Sequence, residues 1–178
     1  AGSCGAFQMS LDGIPMRAWG FCNVNQIFEA NTEQAGSMEV IRGPGSILYG
    51  ANALHGAINV ISAPISDTFS SDISYELGPH QYHRARATVS NTFGAHGLRL
   101  SVNGNTDGGY KHDSGFDQQK LSLQHRFTDG DFSMTNTLHL TNLNQETAGF
   151  VQGDDAYKDD DLKRFNPNPE SFRDAKSY

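Results

Sequence analysis

From residue 70 onward the chain alternates apolar and polar positions with a period of two, the spacing that gives each face of a β-strand its own set of side chains. In 70–78, Ile73, Tyr75 and Leu77 oppose Ser74 and Glu76; in 85–93, Ala85, Ala87, Val89 and Phe93 oppose Arg86, Thr88, Ser90 and Thr92. The pattern returns with Leu98, Leu100 and Val102, with Leu121, Leu123 and Phe127, and with Phe132, Met134, Leu138 and Leu140. These segments predict five antiparallel strands of about 8 to 12 residues. The links at 94–97 and 128–130 are short, as is 78–83, whereas 108–115 is longer. The polar stretch from about Gln145 to the end is the longest and reads as loop. Short and long links alternating is the arrangement of outer-membrane barrels, although a soluble antiparallel sheet with one wet face gives the same period.

The residues before 64 follow another pattern. Residues 7–11 predict a strand, and Asp12-Gly13 a tight turn. Residues 16–26 read as loop. Asn31, with Gln34 three residues on, predicts the cap of a short helix that Gly36 stops. Two apolar strands, 38–42 and 57–61, flank Arg42-Gly43-Pro44-Gly45-Ser46 and the small-residue segment 47–53, so a compact turn joins them. Ala63-Pro64 breaks the pattern and 64–70 reads as a linker. Two domains are expected, 1–64 and 65–178, the first small and α+β, the second antiparallel β; the fold class is mainly β.

Hydrophobic residues make up 37% of the 178, and the mean hydropathy is −0.52. No run reaches the roughly 18 apolar residues of a membrane helix, a fact that leaves a β-barrel open. A net charge of −7 argues against a nucleic-acid partner. No GxSxG, HExxH, Walker or GxGxxG sequence occurs, and no Lys-Ser/Thr pair follows Gly43-Pro44-Gly45, so no enzyme activity and no cofactor are expected.

Residues 38–62, MEVIRGPGSILYGANALHGAINVIS, closely resemble the end of the plug domain of TonB-dependent outer-membrane receptors, where EVIRGP-S-LYG-NA--G-INVI recurs. Leu11-Asp12-Gly13-Ile14-Pro15 resembles that family's DG-P strand and turn. The motif spans about residues 5 to 65; the rest matches by strand pattern alone. The resemblance implies the C-terminal part of a plug (1–64) followed by the first strands of an outer-membrane β-barrel (65–178) that closes with about 22 strands. The chain is therefore expected to be an internal fragment that lacks the N-terminal segment engaging the TonB energy-coupling protein. The implied function is energy-coupled import across the outer membrane of a scarce, large ligand: a ferric siderophore, haem, cobalamin or an oligosaccharide. The implied partners are outer-membrane lipid, TonB and the imported ligand, such as a metal chelate. The alternative from another class is a secreted or periplasmic β-rich binding module recognising carbohydrate or protein. Such a module would bury the leucine rows against a second sheet, whereas a barrel turns them outward.

Site residues follow from the same resemblance. The loop after the DG-P turn is displayed toward arriving ligand, so Arg17, Trp19, Asn23 and Asn25 are candidate contacts, or else Trp19 and Phe21 anchor the loop. His80 and Tyr82 in the first outer loop join them as candidates. His80 and His83 form no evident metal site, because a hairpin loop does not place the pair on one helical face and no third ligand is evident. Arg42 is the expected plug-to-barrel anchor, or else an arginine at a strand end solvated by loop water, and Glu39, three residues away, points to the opposite face. The oxidising compartment that the resemblance implies makes a Cys4–Cys22 disulfide expected, with two buried thiols as the alternative. Asp154, Asp155 and Asp159 to Asp161 lack the EF-hand Gly and Glu and read as a solvated loop.

Overall fold

Each alternating segment folds as a strand. The computed structural model describes residues 7–16, 30–50 and 53–178, and the chain divides into two units, 1–64 and 65–178.

In the first unit β1 (Phe7–Leu11), β2 (Ile14–Pro15), β3 (Ala35–Arg42) and β4 (Gly56–Ser62) form a sheet in the order β2-β1-β4-β3. β1 runs parallel to β4; the other pairs are antiparallel. Asp12 (φ 51°) and Gly13 (φ 79°) supply the two left-handed positions of the β1–β2 turn. Asp12 also ties that turn to β4. Its carboxylate accepts the Ser62 amide and hydroxyl, both at 2.7 Å, and the Gly13 amide donates to Asn59 Oδ1 at 2.9 Å. Met9, Ala30 and Val60 form the buried core of one face, with Leu11, Met16, Ala35 and Ile58 packed around them. Between β3 and β4 a single helical turn, α1 (Ser46–Tyr49), follows the Gly43-Pro44-Gly45 bend. The Gly43 and Gly45 amides donate to the carbonyls of His55 and Ala53 at 3.0 and 2.8 Å, closing the connection on itself. A β-carbon at Gly56 would lie 2.8 Å from the Ile41 carbonyl oxygen, so the strands approach this closely only with glycine there.

The helix expected after Asn31 is a single 3-10 turn, Thr32–Gln34, and the Asn31 side chain does not cap it. Gly36 lies inside β3 instead of ending a helix. The register shifts between Ala35 and Ser37, and a β-carbon at Gly36 would sit 3.0 Å from Ala63 Cα. The glycine serves a bulge and a close backbone approach, which look the same in sequence as a helix stop.

The second unit is an up-and-down meander of six strands: β5 (Ser70–Gly78), β6 (Tyr82–Phe93), β7 (His96–Asp107), β8 (Phe116–Asp129), β9 (Phe132–Glu146) and β10 (Phe172–Ser177). β6 to β9 extend beyond the segments that alternation marks, because backbone pairing continues into polar positions such as 116–119 and 142–146. β10 lies within the stretch expected to be loop. Its six residues carry one large apolar side chain and pair with Thr141 to Glu146 of β9 through the backbone.

The faces of this sheet are inverted relative to a water-soluble one. Register aligns Ile73, Ala87, Val102, Leu121 and Leu140 across five strands. On this apolar face Ile73 is 84% exposed, Leu100 38% and Leu138 45%. On the polar face Ser101, Gln118, Lys120, Ser122 and Thr141 are all buried. No second sheet covers the leucines among the described residues. In the full-length protein, Leu100→Lys should lower barrel stability by about 2–4 kcal/mol, as for a charge on a lipid face. Thr88→Lys on the opposite face should cost markedly less. Equilibrium unfolding from vesicles measures both, and equal losses would refute the assignment of faces.

Candidate ligand-facing loop cluster

In a meander every second connection emerges at the same end of the sheet. Residues 94–95 and 130–131 make tight turns at one end, and the links 79–81, 108–115 and 147–171 share the other. These three links are joined to one another. The Gly108 amide donates to the His80 carbonyl at 2.7 Å, and a β-carbon at Gly108 would stand 2.8 Å from that same oxygen. The Tyr110 ring meets the His80 ring edge-on, with centroids 5.5 Å apart, and the Arg164 guanidinium lies 5.7 Å from its centre. One aromatic side chain thus joins all three connections.

The longer two connections are zipped together by hydrogen bonds. Lys111 Nζ donates to the Gly149 carbonyl, the His112 amide to the Arg164 carbonyl at 3.0 Å, and Asn166 Nδ2 to the Asp113 carbonyl at 2.8 Å. Buried Asn166 also accepts from the Asn168 amide at 2.8 Å, so its side chain bridges both loops. At the base, Gly115 and Glu146 bond reciprocally. The Gly115 amide donates to Glu146 Oε2 at 2.8 Å, and the Glu146 amide to the Gly115 carbonyl at 2.9 Å. Beside this base a cleft of about 360 Å³ opens, lined by Asp107, Phe116, Asp117, Glu146, Phe172 and Arg173. Its size is at the small end of ligand pockets, and its lining combines aromatic surface with both charge signs.

The acidic run is part of the loop's own structure. Asp159 Oδ1 accepts the amides of Asp161 and Leu162, both at 2.9 Å, and Asp155 pairs with Lys158 at 3.0 Å. Asp160 meets Lys163. That hydrogen bond, with the attraction of the charges, holds the Asp160 carboxyl below its ordinary range and raises the Lys163 ammonium above its own. Among the described residues no three His, Cys, Asp or Glu side chains converge as a metal site.

Of the residues read from sequence, His80 lies within this cluster. Tyr82 begins β6 and packs its ring against Gly78. His83 lies on the apolar side, where its Nδ1 meets the Tyr75 hydroxyl at 2.9 Å. Arg42 ends β3, exposed and opposite Gly56. Glu39 engages Tyr49 and Asn59, at 3.2 and 3.3 Å. Cys4, Arg17, Trp19, Cys22, Asn23 and Asn25 lie outside the described residues. Sequence reasoning missed Tyr110, Lys111, Glu146, Arg164 and Asn166. The glycines flanking 109–114 marked a structured turn, but nothing in the sequence paired that turn with residues some fifty positions later.

Comparison with known proteins agrees with this geometry. Residues 2–57 match the family model described as TonB-dependent Receptor Plug Domain. Over 81 residues the chain is 35% identical to the Vitamin B12 transporter BtuB of Vibrio vulnificus, spanning 45% of this chain and 12% of that protein. The pyoverdine outer membrane receptor FpvA of Pseudomonas aeruginosa superposes with a TM-score of 0.71 at 17% identity, over 84% of this chain and 23% of that one. The siderophore receptor PiuA of Acinetobacter baumannii gives 0.71 at 18%, over 87% and 21%. At those identities the superpositions show a shared fold, and the chain spans under a quarter of each of these proteins.

If Tyr110 joins the three connections, Tyr110→Ala in the full-length protein should speed limited proteolysis within 147–171 on intact cells by about tenfold, while the strands stay protected. Unchanged cleavage would show that the loops hold without it.

Proposed function

We propose that this chain, which belongs to the TonB-dependent outer-membrane receptors, comes from a protein that imports a metal chelate across the outer membrane. One observation supports this above the others. A plug motif runs directly into a sheet in which Leu98, Leu100, Leu123, Leu138 and Leu140 are exposed on one face while Ser90, Ser101, Ser122, Gln118 and Gln124 are buried on the other. Outward leucines suit hydrocarbon, and the hydrogen-bonding row suits an aqueous lumen. The alternative binding module would bury the leucines against a second sheet, so their exposure supports the barrel reading.

In this reading residues 1–64 belong to the plug and 65–178 begin the barrel. Ligand arrives at the loop cluster around Tyr110 and at the segment holding Arg17, Trp19, Asn23 and Asn25. TonB acts on the plug from the other side. The relatives above are named for vitamin B12 or for siderophores, large organic ligands that bind a metal. A metal chelate is therefore favoured over an oligosaccharide as cargo.

The test is uptake by the full-length protein in a strain stripped of its own receptors, supplied with radiolabelled ferric siderophores, haem, cobalamin or a maltooligosaccharide. Accumulation of one chelate, abolished by deleting TonB, is the expected result. Accumulation of the sugar alone, or of nothing while the protein is secreted, would sink the proposal. Arg42 is assigned the role of holding the plug against barrel carboxylates. Arg42→Ala should then raise leakage of a large antibiotic through the receptor, with the level of folded protein unchanged; unchanged leakage would remove that role.

A further inference from the structure

At the tight-turn end of the apolar face, four aromatic rings form a row across four strands. Phe93 of β6 lies 6.3 Å from the His96 ring of β7, His96 lies 5.1 Å from Phe127 of β8, and Phe127 lies 6.3 Å from Phe132 of β9. In barrels such a row marks the depth where hydrocarbon gives way to headgroups, and tight turns mark the periplasmic side. Within this row sits a polar relay. His125 Nε2 and His96 Nδ1 are 3.0 Å apart, and His125 Nδ1 lies 3.4 Å from Asn136 Nδ2. All three side chains project from the apolar face by register, as Leu98 pairs with His125 and His125 with Asn136.

The geometry of the pair limits its chemistry. The rings are 17° from coplanar with centroids 5.3 Å apart, so they meet edge to edge along the N–N line. A metal with bonds of about 2.0–2.1 Å cannot sit on that line at this separation. A shared proton can. With the Asn136 amide donating to His125 Nδ1, His125 Nε2–H donates to His96 Nδ1, and His96 carries its own proton on Nε2. The relay thus ends in an N–H donor among phenylalanines on a surface that otherwise meets lipid tails. An unmatched donor there is costly, and an acceptor at headgroup depth satisfies it. On the same face, two residues beyond Phe127 and about 7 Å nearer the turn, stands the exposed carboxylate of Asp129.

We propose that His96, His125 and Asp129 form a binding site for the phosphoethanolamine headgroup of a periplasmic-leaflet phospholipid. The His96 N–H donates to the phosphate, Asp129 receives the ammonium, and the phenylalanine row packs the glycerol and upper acyl carbons. A donor and a carboxylate on neighbouring strands of one face, the carboxylate nearer the turn, match a zwitterion; a phosphoglycerol headgroup would offer the phosphate and leave Asp129 without a cation. This assignment rests on the outer-membrane reading, which the uptake assay tests separately.

The experiment is native mass spectrometry of the full-length receptor, released from detergent with equal amounts of phosphatidylethanolamine and phosphatidylglycerol. The wild type should retain phosphatidylethanolamine in preference. His96→Phe/His125→Phe should reduce its retention on the order of tenfold, the scale of losing a charge-assisted hydrogen bond. Asp129→Asn should erase the preference between the two lipids without abolishing binding. Heat-modifiable migration of each variant confirms a folded barrel. Unaltered retention in the folded double variant, or a wild type that prefers phosphatidylglycerol, would overturn the assignment.

Discussion

The second unit depends on the rule that no backbone amide or carbonyl may go unpaired in hydrocarbon. The rule dictates long regular strands, and β6 to β9, each at least twelve residues, supply them. It also frees the side chains from holding the sheet together, since the ladder does that. One row of each strand can then be chosen for lipid and the other for water. The inverted burial follows: exposed Ile73, Leu100 and Leu138 on one side, buried Ser101, Ser122 and Gln118 on the other. A soluble sheet of the same sequence would leave its most costly surface in water.

The first unit works differently, because the apolar core among its described residues is small. Among the described residues its buried apolar cluster has three members, and Gln8 and Ser10 are at least as deeply buried as Met9, with Asn59 buried beside them. What holds it is hydrogen bonding at short turns. Asp12 satisfies both polar groups of Ser62, Asn59 joins Gly13 to Glu39, and the Gly43–Gly45 bend folds back on 53–55. Glycine at 36 and 56 lets the backbones come close enough for this. These described contacts depend on local turn geometry, which few residue types satisfy at each position.

That difference explains what could be read from the sequence. The strands were legible because alternation is a direct consequence of a two-faced sheet, and β5 was found to its last residue at both ends. The plug hairpin was legible because its glycines and Asp12 are irreplaceable. β10 was not, since a strand held by backbone pairing alone needs no side-chain pattern. Gly36 was misread because a bulge and a helix stop ask for the same residue. The loop cluster was hidden for a deeper reason. Tyr110, Glu146 and Asn166 act through partners far away in the chain, and their types are those of any polar loop.

The three surfaces of the sheet answer to three different media, and this shapes how specificity can change. Outward positions are held by lipid, so Leu123 can become another apolar residue but not a charged one. Several inward positions are buried, and some are tied to neighbours on adjacent strands, as Thr88 is to Ser101 at 3.0 Å. The loops alone are tied mainly to each other, through Tyr110, Lys111 and Asn166. A change of ligand therefore requires altering contacts among loops while the ladder beneath them stays intact. The strands below 79–81, 108–115 and 147–171 need no revision for that. A chain that keeps its plug motif and strand rows while its loops diverge keeps its fold and its place in the membrane while the identity of its ligand drifts. For the same reason the most regular parts of this sequence say the least about what the protein carries.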